Sequence, residues 1–449
     1  MSTWAGRLAS RLSLDRPAVR AWMLYDWANS AMYVVIVTAI FPIFFTAVAA
    51  DGMSATEATS RFSIATTIGL TIIAVLSPIL GAIADHSAAK KRLLGAFLGL
   101  GASAVAAMFF IQHGQWLFAA GLFILANIGV NGSFVFYDSL LPHVAAPEEM
   151  DRVSTAGYAL GYLGGGLFLL ACLAIVMAPA AFGLPAGAGL TPSQATLPTR
   201  ITFILTALWW AGFSIPLFRQ VPEPPGRALD AEEARLGAVR ASFRRLGATF
   251  RKLQGYRQAF LLLLAFLIYN DGVGTIIRMA AIYGAEIGIT RTTMIAAIAL
   301  VQFVGVPFAY LFGGLAKRLG TRPAIFVGLA TYLGISVLGY FMRSDRDFIL
   351  LAVLVGMVQG GVQALSRSLF ASMVPRHLSG EFFGFFAVFE KFAGILGPAM
   401  FSVAILMTGS SRAALLSVVV FFLVGGALLA KVDVGEGQRM ARDEEAAVA

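Results

Sequence analysis

Charge is scarce in this sequence. Only 13% of its 449 residues are Asp, Glu, Lys or Arg, about half the share carried by an ordinary soluble globular protein. A water-facing exterior therefore cannot be assembled around the 58% of residues that are hydrophobic. Cysteine is almost absent: the single Cys172 lies within an apolar run, which excludes an intramolecular disulfide and a cysteine-based metal site. The four histidines show no ligand spacing and sit mainly at helix ends. No G-x-x-x-x-G-K-[ST] loop is present, so ATP-driven pumping is not expected. HExxH and GxSxG are missing too, which leaves an intramembrane enzyme without a motif. No cofactor is implied.

What remains is apolar sequence in long blocks. Segments of about 20 mostly apolar residues, the length that spans a bilayer, fall near 22 to 49, 62 to 84, 93 to 112, 116 to 141, 154 to 178 and 201 to 218. A second set follows near 258 to 284, 292 to 316, 322 to 342, 347 to 372, 383 to 407 and 412 to 431. The expected fold class is an all-α membrane protein of twelve transmembrane helices. Ala47, Val48 and Ala49 look like a signal-peptidase site, but the apolar run before them is too long for a signal peptide and contains Asp26. It reads as a retained first helix.

Between the sets, Pro222, Pro224 and Pro225 open a polar, Arg-rich stretch. Residues 231 to 254 fit either an amphipathic helix on the membrane surface or a solvated linker. The division expected is 1–218, a linker at 219–257, and 258–449, the last ending in a short tail. The net charge of +9 does not point to nucleic acid, because Lys and Arg concentrate in the N-terminus, alternate loops and the C-terminus. Under the positive-inside rule both termini and the central loop are cytoplasmic. A bacterial cytoplasmic (inner) membrane, lipid contacts, a small-molecule substrate, protons as a further partner and a monomeric state complete the expectation.

The halves repeat weakly. Leu24-Tyr25-Asp26 opens helix 1, as Ile268-Tyr269-Asn270-Asp271 occupies helix 7. Gly81-Ala82-Ile83-Ala84-Asp85 followed by Lys90, Lys91 and Arg92 has its counterpart in Gly313-Gly314-Leu315-Ala316-Lys317-Arg318 followed by Arg322. Such repeats mark transporters whose halves rock around a central site.

These residues resemble the signature loop between helices 2 and 3 of the major facilitator superfamily, with Ala88 in place of a usual glycine and Lys317 where an aspartate is common in the second copy. The runs Tyr25 to Ala31, Tyr269 to Gly272, Gln359 to Ser368 and Glu381 to Phe385, with Lys391-Phe392 and Gly397-Pro398, resemble the vacuole-effluxer-like branch more narrowly. The resemblance implies two pseudo-symmetric six-helix bundles. It also implies secondary transport of a small polar solute by alternating access, and eukaryotic members of the branch are linked to amino-acid export from the vacuole. A sensor or assembly factor that keeps the fold without moving cargo is the alternative.

Ionisable groups inside hydrocarbon are costly and so should face a cavity or a partner. Asp26, Asn29, Ser30 and Tyr33 share one helical face, as do Asp271, Thr275 and Arg278 on helix 7. Each set fits a solute or coupling-ion site; Asp26 also fits a helix cap, and the helix 7 charges also fit a packing pair. Asn127, Asn131 and Asp138 line one face of helix 4, and Gln359, Gln363 and Arg367 one face of helix 10. In the fold the resemblance implies, Asp138 and Arg367 pair to close the cytoplasmic end, with Glu390 a competing partner for the arginine. Asp26, Asp271 and Glu390 are the carboxylates open to proton coupling. Asp85, with Lys90, Lys91, Arg92 and, in the second copy, Arg318, reads as a gate. Gly157, Gly161, Gly164, Gly165 and Gly166 read as close packing of helix 5, or as a sliding surface.

Overall fold

The computed structural model describes residues 16–226, 251–393, 396–408 and 411–448. Every regular element among them is helical. Ten helices are each long and apolar enough to cross a bilayer. They are α1 (Pro17–Ala49), α2 (Ala55–Ser87), α3 (Lys90–Ala107), α4 (Trp116–Ser139), α5 (Met150–Met177), α6 (Pro192–Gln220), α7 (Arg257–Glu286), α8 (Arg291–Leu319), α9 (Thr321–Tyr340) and α10 (Asp345–Ser372).

The last two expected spans are interrupted. One is divided into α11 (Ser379–Phe392) and α12 (Leu396–Thr408), the other into α13 (Ser411–Ser417) and α14 (Val419–Ala430). Glu381, Glu390 and Lys391 all fall in α11, and Pro398 stands near the start of α12, where a missing N–H costs least. Beyond residue 431, where a short tail is expected, the chain forms a helix, α15 (Val434–Val448), bent by 58° from α14. The region expected to hold an amphipathic helix lies, apart from residues 251 to 254, outside the described residues.

Within α1 the turns widen twice into π-helix, at Tyr33–Ala39 and Phe45–Ala49. Pro42 supplies a cause for the first: it has no N–H to offer the carbonyl of Thr38 and its ring crowds that carbonyl, and the Ile40 N–H bonds back five residues to Val35 instead.

Helices α1 to α6 form one bundle and α7 to α14 the other. They meet where α2 packs on α11 and where α5 packs on α8 and α10. Glycines permit this. A Cβ on Gly81 of α2 would fall 2.1 Å from the carbonyl oxygen of Gly380 in α11, far inside contact distance. The contacts gather at the end of the molecule that carries Lys90, Lys91, Arg92, Arg318 and Arg322, the basic end. Toward the other end the bundles part around a cavity.

Candidate functional site

The cavity has a volume of about 910 Å³ and draws its lining from both bundles. Its walls run from Met294, Tyr283 and Phe348 near the far end, past Tyr33 and Arg278, down to Asp26, Asp138 and Arg367. It is therefore open away from the basic end and closed toward it.

The floor is built around Arg367 of α10. Its guanidinium donates from Nη1 to Asp138 Oδ1 of α4 at 2.9 Å and lies 3.5 Å from Asp26 Oδ2 of α1. It also donates to the hydroxyl and the carbonyl of Ser154 in α5, at 3.0 and 3.1 Å. Three aromatic rings surround it, Trp22, Tyr137 and Tyr158, with centroids 4.9, 5.5 and 4.6 Å away. Arg367 is 3% exposed. A desolvated cation needs such a shell: forked donors matched to carboxylates, and ring faces that attract positive charge. Tyr137 also donates to Asp26 Oδ2 at 2.8 Å, while its ring stacks on Trp22. Gly157 lets α5 approach, since a Cβ there would lie 2.7 Å from Asp26 Oδ2. The helix 5 glycines thus serve close packing: Gly161 lies against Ser30, and Gly164 against Trp27.

The walls carry the remaining polar groups. Asn29, Ser30, Tyr33, Asn127, Asn131, Arg278, Gln359, Gln363 and Glu390 all line the cavity. Arg278 is exposed to it. Its side chain lies back along α7 over Gly274, where a Cβ would meet Nη2 at 3.0 Å, as long helical side chains that point toward the N-terminus do. Gln363 donates to Asn270 Oδ1 at 2.5 Å, so one amide wall is already ordered. Asn131 donates to the Asn127 carbonyl at 2.9 Å. The buried Asn29 Nδ2 and Asn131 Oδ1 have no hydrogen-bond partner among the described residues. A donor and an acceptor left open in a cavity wall suit a polar solute or water.

Two expected wall residues lie elsewhere. Asp271 and Thr275 are both 0% exposed and face α12, where Asp271 Oδ2 accepts the Gly397 N–H at 3.0 Å. Asp271 thus satisfies one of the orphan donors at the start of α12. The helical spacing that put Asp271, Thr275 and Arg278 on one face was sound; the long Arg278 side chain leaves that face by folding back toward Gly274, and the two short ones cannot.

At the basic end Asp85 bridges the bundles. Its oxygens accept the N–H groups of Gly380 at 3.0 Å and Glu381 at 2.7 Å, the first turn of α11. Lys90 Nζ reaches Asp85 at 2.8 Å and donates to Ser379 Oγ at 2.7 Å, with His143 Nε2 3.1 Å away. A carboxylate at a helix N-terminus meets unsatisfied N–H groups and the positive end of the dipole together. Lys91 does something else. It donates to the carbonyls of Phe218 and Val221, tying α3 to the end of α6 inside one bundle. Arg92 and Arg318 are exposed at the surface. The basic cluster therefore divides, and only Lys90 joins the cross-bundle contact, because it alone of these four cations starts its helix directly opposite Asp85.

Sequence reasoning missed several contributors. Trp22, Tyr137 and Tyr158 are hidden among many aromatic residues that look like ordinary core. Ser154 and Ser379 carry no pattern of their own. Asp151 likewise carries no pattern of its own, yet it accepts from Ser368 and Thr321 of the other bundle. Ser368 was the one available signal, closing the Gln359 to Ser368 run.

The family described as vacuole effluxer Atg22 like matches residues 52–442. The uncharacterized MFS-type transporter YxiO of Bacillus subtilis (strain 168) is 38% identical over 413 residues, covering 92% of this chain and 94% of its own. Autophagy-related protein 22-1 of Phaeosphaeria nodorum is 24% identical, covering 87% and 79%. Among solved structures, the proton:xylose symporter XylE bound to 6-bromo-6-deoxy-D-glucose superposes with a TM-score of 0.68 at 13% identity, over 92% of this chain and 95% of that one. A bacterial homologue of the iron transporter ferroportin in the outward-facing state gives 0.64 at 14%, over 92% and 98%. At such identities these two structures speak for the fold alone. With the architecture, the cavity between bundles and these matches together, the chain belongs to the vacuole effluxer Atg22-like family of major facilitator superfamily transporters.

Proposed function

We propose that this transporter moves a small zwitterionic solute of the amino-acid class by alternating access, coupled to protons. The observation that carries the reading is the polarity of the cavity. Its floor holds Asp26 and Asp138 around one arginine, and Glu390 lies near enough to Asp138 for their charges to interact. Its wall holds the exposed cation Arg278. A solute with a carboxylate and an ammonium group matches that separation, the carboxylate at Arg278 and the ammonium toward the floor. The open Asn29 and Asn131 groups serve its remaining polar atoms.

The same floor supports proton coupling. Two carboxylates, Asp26 and Asp138, share one guanidinium, and unbalanced charge in a water-poor site is expensive. A proton is the smallest ion that relieves it, and a cycle that gains and loses that proton on opposite sides is driven by the gradient. Read with the positive-inside rule, the basic end faces the cytoplasm, so the cavity described above opens outward. A bacterial cytoplasmic membrane, with both termini on the basic side, is the corresponding location.

Purified protein in liposomes, loaded with a panel of unlabelled amino acids, peptides and sugars, should exchange labelled amino acid across the membrane. Collapsing an imposed pH gradient should change the accumulation ratio. Exchange that ignores the gradient would remove protons from the cycle; absence of flux across the whole panel would leave a non-transporting sensor or assembly factor.

A further inference from the structure

The two halves repeat, yet the second copy of the signature loop has Lys317 where the first has Asp85. In the structure Lys317 is exposed, so the contact that Asp85 makes has no counterpart built from that position. The packing around it is nevertheless repeated. Gly313 of α8 lies against Thr155 of α5, where a Cβ would fall 2.4 Å from the hydroxyl, as Gly81 lies against Gly380.

We infer that Asp151 replaces the missing acid from the opposite side of the interface, forming a second latch that holds the basic end closed. Asp151 stands in the first turn of α5. Its Oδ1 accepts from Ser368 Oγ of α10 and its Oδ2 from Thr321 Oγ1, the first residue of α9, each at 2.5 Å. One carboxylate thus clamps two helices of the other bundle. In the first latch the acid sits near the C-terminal end of α2 and the start of α11 supplies the donors; in the second the start of α5 supplies the acid. As a result the four carboxylates in these cross-bundle contacts, Asp26, Asp85, Asp138 and Asp151, all belong to the N-terminal bundle. The C-terminal bundle supplies Arg367, two hydroxyls and the N–H groups of α11.

The inference rests on the alternating-access reading, in which these contacts break once per cycle. Asp151 is a positioning residue: it lies outside the cavity lining and acts on the solute only through the closure of the basic end. Its partners are neutral hydroxyls, each of which regains water when the bundles part, so the latch releases without separating an ion pair. That distinguishes it from Arg367 with Asp138.

The test is a distance measurement that needs no solute. Spin labels on Arg92→Cys and Arg318→Cys, exposed on opposite bundles, in a Cys172→Ser background, report the separation of the basic ends. Asp151→Ala should raise the widened fraction about tenfold or more, the scale of losing two hydrogen bonds to a charged acceptor. Ser368→Ala with Thr321→Val removes the donors and leaves the acid, and should widen the ends similarly. All three substitutions together should do no more than either set alone, the signature of a single shared contact. Unchanged separations in both sets, or fully additive effects, would overturn the latch. Because flux is not the readout, failure of the transport reading and failure of the latch remain distinguishable.

Discussion

Arg367 of α10 lies 2.9 Å from Asp138 of α4 and 3.5 Å from Asp26 of α1, so one side chain of the C-terminal bundle is shared by two carboxylates of the other. This places the closure of the basic end and the floor of the cavity in the same few atoms. A solute or proton that changes the charge at the floor also changes the strength of the contact between bundles. In the proposed cycle, chemistry in the cavity and movement of the bundles would be coupled through the charges at Arg367, Asp138 and Asp26.

Removing that cation should be severe. Arg367→Ala leaves two buried carboxylates facing apolar and aromatic neighbours, a loss on the scale of about 3 to 5 kcal/mol for a broken buried ion pair. Thermal unfolding in detergent should shift to a lower midpoint and flux should vanish. Arg367→Lys retains the charge but not the fork that reaches Asp138 and Ser154 together, so it should recover part of the stability and little of the flux. Full activity in either variant would show that the arginine is dispensable.

Arg278 should behave in the opposite way. It is exposed to the cavity, so its loss costs the fold little. Arg278→Ala should abolish flux while leaving the unfolding midpoint within the scatter typical of surface substitutions, about 0.5 kcal/mol. A carboxylate-free amine of similar size should be affected less than the amino acid. Unchanged transport of the amino acid would take Arg278 out of the site.

Asp85 holds the start of α11 through two N–H groups and also pairs with Lys90. Asp85→Asn keeps one acceptor and removes the charge, which weakens the closed basic end by about 1.5 to 3 kcal/mol on the scale of hydrogen bonds to a charged group. Equilibrium binding of solute should be altered only through the shifted population of states, and single-turnover exchange should slow. A change confined to intrinsic affinity, with normal exchange, would argue against a gate at this position.

Much of this was readable beforehand, for identifiable reasons. Long apolar blocks locate helices because a bilayer demands some 20 apolar residues per passage, and the ten longest helices lie where those blocks are. Steps of three and four residues locate faces, which is why Asn131, Gln359, Gln363 and Asp138 line one cavity. Spacing does not say how far a side chain reaches, so Asp271 and Thr275 were grouped with Arg278 although their short arms turn to α12. Nor does it reveal partners from distant parts of the chain. Asp151 with Ser368, and Arg367 with Ser154, join residues more than 200 positions apart, and only the folded chain brings them together. The end of α11 at Phe392 was equally hidden, because Gly397-Pro398 looked like a family motif and not like the start of a new helix.

The departure at Ala88 makes the sharpest local test. The sequence has alanine where the signature loop usually has glycine, and in the structure Ala88 ends α2 in the left-handed region with φ of 46°. A side chain there crowds the following carbonyl, whereas glycine adopts this conformation freely. Ala88→Gly should therefore stabilise the protein by about 0.5 to 1 kcal/mol, the usual size of such backbone effects. Ala88→Val should destabilise it by more, because a β-branched residue tolerates positive φ least. Thermal unfolding of the two variants beside the parent measures both. Since the turn places Lys90 opposite Asp85, the glycine variant should also lengthen the lifetime of the closed basic end, seen as a narrower distance distribution between labels on the two bundles. Valine tolerated as well as glycine would mean that the turn is not left-handed at this residue, and the link from the loop to the gate would fall with it.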